Sequence, residues 1–171
     1  MIEVYLQPHD VSWGGRFLAE ADRIGAAMWT WIDIEHIGST SVPGLTAKPV
    51  IDILVGCPDS DVHAELIEVL QLRLGYQLDG DRRYHTWLSW PRGGPAQYVV
   101  HSAAYDADVW KARIGFRDAL RTSPDLCAEY EQLKRELAAA HACDVTAYTA
   151  AKRSFVERVL LERGLEPERT G

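Results

Sequence analysis

The sequence lacks the marks of membrane, secreted and disulfide-stapled proteins. No apolar run approaches the roughly 18 residues that a spanning helix needs, and the N-terminus has no basic segment followed by an apolar stretch. The three cysteines, Cys57, Cys127 and Cys143, are far apart and have no CxxC spacing, which argues against a disulfide framework and against a structural zinc site. We therefore expect a cytoplasmic protein that does not enter the membrane.

An excess of positive charge is also missing. The 18 lysines and arginines face 25 aspartates and glutamates, for a net charge of −7, so a broad nucleic-acid-binding surface is not expected, although a local basic patch remains open. Repeats, low-complexity segments and Pro/Gly/Ser linkers are absent. The 171 residues, of which 47% are hydrophobic and 25% charged, suit one globular domain. Nothing in the sequence indicates its oligomeric state.

Strand patterns occupy the first hundred residues and helical patterns the last seventy. Alternation and turn signals predict strands over residues 3–7, 31–37, 48–56, 76–78, 84–90 and 97–103. The predicted helices are one capped by Asp10, one over 59–74 that Asp61 would cap, one from about 106 to 121, one starting at Ser123–Pro124, and one from Asp144 to near Gly164. This order predicts an α+β (mixed α/β) fold: a sheet-containing core over 1–104, a helical part over 105–164 and a frayed tail over 165–171.

The stretch Gly38–Ser39–Thr40–Ser41 directly follows a predicted strand. A glycine lets the backbone approach a ligand closely, and successive N–H groups and hydroxyls can hold a phosphate. The structural alternative is an ordinary turn in which Ser or Thr caps a helix.

Asp52 interrupts the apolar strand Val50–Val55. An unpaired carboxylate inside such a strand costs several kcal/mol. It is therefore expected to pair with a cation, to bind a metal ion or ligand, or to cap a neighbouring loop.

Several segments together resemble the GrpB family, grouped with the polymerase-beta-like nucleotidyltransferases. They are Trp13, HIGSTSVPGL (36–45), Lys48–Pro49, IDILV (51–55), FRDALR (116–121), YEQLK (130–134) and AYTAAKRSF (147–155). The resemblance spans nearly the whole chain in order. It implies a nucleotidyltransferase-like small mixed β-sheet flanked by helices, with a helical C-terminal third and the Gly-Ser turn at the mouth of the site. Some relatives are fused to dephospho-coenzyme A kinase.

The sequence departs from that superfamily in its acidic residues. Nucleotidyltransferases carry two carboxylates separated by one residue and a third on a later strand, which hold two metal ions. Here Val50 and Leu54 flank Asp52 at the alternate positions, and His101 stands where the third acid is expected. The candidate catalytic residues are Ser39, Asp52 and His101. Asp52, helped by His36 and His101, could hold one Mg²⁺, although Mg²⁺ prefers oxygen ligands. The alternative for both histidines is a buried, hydrogen-bonded strand residue.

Basic residues recur in the helical half. Arg113, Arg117 and Arg121 are spaced by four, and like charges at this spacing repel unless an anion lies across them. One alternative is snorkelling, in which long apolar stems cover the core while the charged heads reach water. Another is local pairing of these cations with Asp118 and Glu131. The candidate nucleotide- or anion-binding residues are Gly38, Ser39, Thr40, Ser41, Lys48, Arg113, Arg117, Lys134, Tyr148 and Lys152. We expect Arg113, Arg117, Lys134 and Lys152 to converge on the cleft that contains Ser39.

Three functions fit these residues. The first is an enzyme that binds ATP or another nucleoside triphosphate, with Mg²⁺, and transfers a nucleotidyl group or couples small metabolites through an adenylate. The second is a non-catalytic module that binds an anionic metabolite in a site whose metal ligands have been lost. The third, which rests on the family alone, is an accessory domain linked to coenzyme A biosynthesis.

Overall fold

The computed structural model describes residues 5–82, 85–105 and 107–167. The strands are β1 (Asp33–Ile37), β2 (Ile51–Cys57), β3 (Gln77–Arg82), β4 (His85–Trp90) and β5 (Tyr98–Ala104). The helices are α1 (Ser12–Ala27), α2 (Ser60–Glu68), α3 (Asp108–Thr122), α4 (Pro124–Ala140), α5 (Val145–Ala151) and α6 (Arg153–Glu162). The predicted α+β class is confirmed, and no helix in these residues is both long and apolar enough to cross a membrane.

The five strands form one mixed sheet in the order β1-β2-β5-β4-β3. β2 pairs in parallel with β5, and every other neighbouring pair is antiparallel. The alternation of β2 divides its side chains between the two faces of the sheet. Ile51, Ile53 and Val55 join the core under α1 and α2, whereas Leu54 packs on the side of α3. Asp52 shares that second face.

Two of the predicted helix caps are confirmed, since Ser123 accepts a hydrogen bond from the N–H of Leu126 (3.3 Å) and Asp144 from that of Ala147 (2.8 Å). The N-cap of α1 is Val11, and Asp10, one residue earlier, accepts a hydrogen bond from the Ser12 N–H (2.8 Å). The predicted Asp61 cap is wrong. Asp59 caps α2 instead, since its carboxylate accepts the N–H groups of residues 61 and 62 (3.0 and 2.9 Å) while residue 61 already lies in the first turn.

Other boundaries differ from the prediction. The helix expected to run from Asp144 to Gly164 is broken at Lys152 into α5 and α6, and the helix expected over 59–74 ends in a wider π-type turn over Val69–Arg73. In the strand predicted over 3–7, Gln7 forms a single bridge with Ala47, and residues 3 and 4 lie outside the described ranges. So do Tyr84, at the start of a predicted strand, and Asp106, at the start of a predicted helix.

The predicted fraying of the tail is wrong for its first residues. Leu165 packs directly on α3 at Gly115, where a Cβ would overlap the leucine side chain. Leu165 also donates its N–H to the Leu160 carbonyl (3.0 Å). An apolar side chain with a glycine surface beneath it gains contacts that a polar tail lacks, and this holds the chain against α3. Residues 168–171 lie outside the described part.

Candidate functional site

The turn after β1 is folded tightly against β2. Ile37 pairs with Asp52 across the two strands, which brings Gly38 next to the aspartate. Gly38 has a φ of +71°, and a Cβ there would overlap the Asp52 carboxylate. Both the backbone conformation and the lack of space therefore require glycine.

The three hydroxyls after Gly38 have different surroundings. Thr40 donates to the Val50 carbonyl (3.3 Å) and contacts Nε2 of His36 (3.1 Å). Ser41 donates to the Gly38 carbonyl (2.6 Å), which closes the turn. Ser39 interacts with the buried Tyr130. Ser39 and Thr40 line the cavity described next, and Ser39 is the less buried of the two.

A cavity of about 510 Å³, called the cleft below, opens beside this turn. It is lined by every predicted site residue except Ser41 and Arg117: Gly38, Ser39, Thr40, Lys48, Asp52, His101, Arg113, Lys134, Tyr148 and Lys152. Gly38, Ser39 and Asp52 thus line the same cleft. Other lining residues were not singled out as site residues, although they lie in the family-like segments or the tail: Phe116, Tyr130, Arg153 and Pro167.

Asp52 is ionised although it is largely covered. Burial opposes its charge, but the hydrogen bond to His101 and the nearby charges of Arg113 and Lys48 outweigh burial, so the pKa of Asp52 lies below its usual value. The distance from the Asp52 carboxylate to Nε2 of His101 is 3.5 Å. The carboxylate is thus a fixed negative charge at the edge of a cationic cleft.

A second histidine continues this chain of polar groups. Nδ1 of His101 and Nε2 of His85 are 2.9 Å apart, and β4 and β5 bring the two rings together because Trp87 pairs with His101 in the sheet. Burial, with the charge of Arg113, lowers the pKa of His85 to about 2, so this ring is neutral. The sequence pattern around His85 predicts a hairpin that could face a substrate; His85 lies beside His101 but does not itself line the cleft.

The donor set does not fit the metal site of a nucleotidyltransferase. Within the described ranges no group of three His, Cys, Asp or Glu residues could hold a metal ion. Asp52 has one neighbouring donor, His101. His36, the other predicted ligand, pairs with Ile53 on the opposite face of the sheet. Its ring stacks on Phe17 with 4.7 Å between centroids, and burial lowers its pKa to about 4. The alternative, that His36 is a buried, hydrogen-bonded strand residue, is therefore correct.

Two lysines approach the same aromatic ring in the cleft. Nζ of Lys152 lies 4.4 Å from the centre of the Tyr148 ring, and Nζ of Lys48 lies 5.8 Å from it. The break between α5 and α6 falls at Lys152 itself, and α5 carries Tyr148 one turn earlier. Burial, with repulsion from Lys48, lowers the pKa of Lys152 to about 8.

Lys134 also lines the cleft, but it has protein partners. Its ammonium group donates to the Thr46 carbonyl and lies 3.6 Å from Glu131. Burial lowers its pKa to about 8, against the opposing effect of Glu131. Much of its charge is therefore balanced within the fold.

The prediction that Arg117 faces the cleft is wrong. Arg117 is buried and bonds Glu35 (2.5 Å), Asp118 (2.7 Å) and the His36 carbonyl (3.0 Å). Arg121 donates to the Ser41 carbonyl (3.0 and 2.7 Å), and Arg113 alone of the three lines the cleft. At 3.6 residues per turn, each step of four residues turns about 40° past a full circle, so Arg113 and Arg121 point about 80° apart and the three arginines reach different partners. Ser41 is absent from the lining because its hydroxyl closes the turn.

Comparisons with known proteins place the chain in a family. A profile of the GrpB protein family matches residues 3–162. The chain is 39% identical over 155 residues to a UPF0157 protein of Deinococcus radiodurans, covering 91% of this chain and 79% of that protein. It is 33% identical over 168 residues to the glutamate-rich protein GrpB of Alkalihalophilus pseudofirmus, covering 94% and 95%.

Solved structures extend the likeness. GrpB from Enterococcus faecalis superposes with a TM-score of 0.82 at 28% identity, covering 92% of this chain and 96% of that chain. Terminal uridylyl transferase 4 from Trypanosoma brucei, with bound dUTP, gives a TM-score of 0.53 at 14% identity, covering 94% of this chain and 57% of that one. At 14% identity the likeness concerns the fold alone. The predicted nucleotidyltransferase-like fold is confirmed.

Proposed function

The chain belongs to the GrpB protein family, and from this premise we propose that its cleft binds a small phosphorylated anion of the nucleoside triphosphate class. The observation that carries the proposal is the pair of lysines, Lys48 and Lys152, whose ammonium groups both approach the Tyr148 ring in the cleft. In the part of the chain that the structure describes, neither lysine has a carboxylate within ion-pairing distance. Two such cations in one pocket repel each other, and a bound anion removes that repulsion.

The turn would place the ligand. The Ser39 hydroxyl can donate to a phosphate oxygen, and the lysines supply charge. Gly38 leaves this part of the turn free of side-chain bulk. The cleft volume of about 510 Å³ falls in the range of small-molecule sites.

A calorimetric titration of the full chain with ATP, GTP and pyrophosphate tests the proposal. We expect saturable binding, and Lys152→Gln is expected to weaken it by about one decade, since a hydrogen bond to a charged group contributes roughly 1.5–3 kcal/mol. Arg158→Gln is the matched control, because Arg158 is on α6 but outside the cleft and pairs with Glu129 and Glu162. Absence of saturable heat with all three anions would contradict the proposal.

Asp52 favours a second candidate, nucleotidyl transfer. An ionised carboxylate beside Gly38 and Ser39 can accept a hydrogen bond from the hydroxyl of an acceptor that attacks the innermost phosphorus, with pyrophosphate leaving. Release of pyrophosphate from ATP in the presence of a metabolite mixture would support transfer. We expect Asp52→Asn to abolish release while nucleotide binding persists. Binding by the wild-type chain without any release would leave the non-catalytic module as the function.

A further inference from the structure

The cleft combines few carboxylates with several cations, which is the reverse of a metal–nucleotide site. Enzymes that transfer phosphoryl or nucleotidyl groups with two metal ions use several carboxylates to hold the ions, and the ions then neutralise the phosphates. Here two carboxylates line the cleft, Asp52 on β2 and Glu157 on α6, and of the two Asp52 is the one that acts on Lys152. Lys48, Lys152 and Arg113 lie around it, and their charges influence it or one another.

We infer that the ammonium groups of Lys48 and Lys152 take the place of the divalent cations, so that the cleft binds the phosphate end of its ligand without metal. This inference rests on the proposed function and names the form of the ligand, a metal-free di- or polyphosphate. Mg²⁺ held by a single carboxylate would need the phosphates for its other oxygen ligands. It would also have to sit among like charges, which raises the free energy of the bound ion.

The fold holds these two ammonium groups in place. Tyr148 is almost fully buried, at 1% exposure, and its ring is a fixed surface for both lysine stems. Cation–π attraction stabilises the charges in a partly desolvated position. Lys152 follows α5 immediately and precedes α6, so two helices fix its backbone. Such anchoring reduces the entropy that a flexible surface lysine would lose on binding.

The charge count supports a metal-free anion. Glu131 and the Thr46 carbonyl offset Lys134, whereas Asp52 is the carboxylate that acts on Lys152. Five cationic residues line the cleft, Lys48, Arg113, Lys134, Lys152 and Arg153, against the two carboxylates Asp52 and Glu157. A metal-free phosphate between Lys48 and Lys152 would meet this excess of cations with its full negative charge. Bound Mg²⁺ would remove two of the ligand's negative charges and so weaken that attraction.

The test is titration of the full chain with pyrophosphate and with ATP, in EDTA and in saturating Mg²⁺. We expect wild-type affinity in EDTA to equal or exceed that in Mg²⁺, because the metal competes with the lysines for the phosphate oxygens. Lys152→Gln and Lys48→Gln should weaken binding about tenfold in EDTA. In both variants Mg²⁺ should partly restore affinity, since the ion supplies the missing positive charge. Lys152→Arg keeps the charge and should stay independent of Mg²⁺.

The outcomes separate the two proposals. Wild-type binding that is about tenfold or more stronger in Mg²⁺ than in EDTA would overturn the inference and leave the proposed function standing. Saturable binding that Lys152→Gln and Lys48→Gln leave unchanged, in variants whose melting temperatures match the wild type, would also overturn it. No binding in either condition would contradict the proposed function itself. Arg158→Gln serves as the charge control throughout.

Discussion

On the side of the sheet covered by α1 and α2, β2 presents Ile51, Ile53 and Val55, whereas on the side of α3 it presents Asp52 beside Leu54. The first side is a continuous apolar core. The second side is apolar near α3, where Leu54 packs with Ile37 and Val109, and polar where the cleft begins. One strand thus supplies the core of the fold through alternate residues and the candidate site through the single residue that breaks the pattern.

The largest effect is expected from a change on the apolar side. Ile53 is fully buried in the core under α1 and α2. Ile53→Ala removes buried apolar groups and leaves a cavity, so we expect the free energy of unfolding to fall by about 2–5 kcal/mol in urea denaturation. The anion affinity of the folded protein should stay unchanged, because Ile53 points away from the cleft. A loss of affinity without loss of stability would show that the two sides are not separable.

Arg117 and Lys152 separate a structural cation from a ligand-binding one. Arg117→Gln leaves Glu35 and the His36 carbonyl without their partner, and we expect a loss of about 1.5–3 kcal/mol of stability with intact anion binding. Lys152→Gln should do the opposite, because it removes a charge whose pKa burial lowers from 10.5 to about 8. Melting curves and pyrophosphate titrations of both variants measure the contrast. Weakened anion binding by Arg117→Gln would contradict this assignment and show that Arg117 contributes to the site.

Lowering the pH should destabilise the fold through His36, which is buried on the side of the sheet covered by α1. Burial holds the pKa of His36 at about 4, below its ordinary 6.5, so the unfolded chain binds this proton first as the pH falls. Stability is then fully present above pH 6.5 and declines as the pH falls towards 4. Urea denaturation of wild type and His36→Gln across this window should give a shallower decline in the variant. Equal slopes would mean that His36 makes no contribution.

The smallest effect is expected at the start of α2. Asp59 accepts two backbone N–H groups there and touches neither the cleft nor Arg117. Asp59→Ala should lower the free energy of unfolding by about 1 kcal/mol, the usual value of an N-cap. Asp61→Ala is the matched control and should change it less, because Asp61 makes no capping bond. Equal losses would restore Asp61 as the cap.

Local patterns predicted much of this fold. The alternation around β1, the apolar run of β2 and the Pro/Gly-rich loop of the β4–β5 hairpin each carry their signal within a few residues, as do the caps Ser123 and Asp144. The family-like segments then indicated which of these elements meet. The polar turn and the interrupted strand led to Gly38, Ser39 and Asp52 because a buried carboxylate requires a partner.

What the sequence could not predict depends on contacts between distant residues. The spacing of Arg117 from Arg113 and Arg121 suggested a ligand-binding stripe, but Arg117 pairs instead with Glu35, 82 positions away in the sequence. No glycine or proline near Lys152 predicts the break between α5 and α6. His85 meets the site residue His101 only because β4 lies beside β5. The sequence predicts a frayed tail at Leu165, because no residue near it indicates that Gly115, 50 positions earlier, leaves space for its side chain on α3.

The parallel pairing of β2 with β5 gives the cleft a further property. Ile51 and Tyr98, partners at one end of this pairing, are 47 positions apart, whereas β3, β4 and β5 are joined by hairpins. The sheet therefore consists of two parts, β1–β2 and β3–β5, each formed by strands that follow one another in the sequence. The pairing of β2 with β5 is the seam along which the two parts meet. Closing the long connection costs the most chain entropy, so we expect the seam to open before either part does. Asp52 on β2 and His101 on β5 stand on opposite sides of it, 3.5 Å apart, and a ligand that contacts residues of both strands would act as a clamp. Hydrogen exchange should show its greatest slowing along β2 and β5 when the clamp is in place.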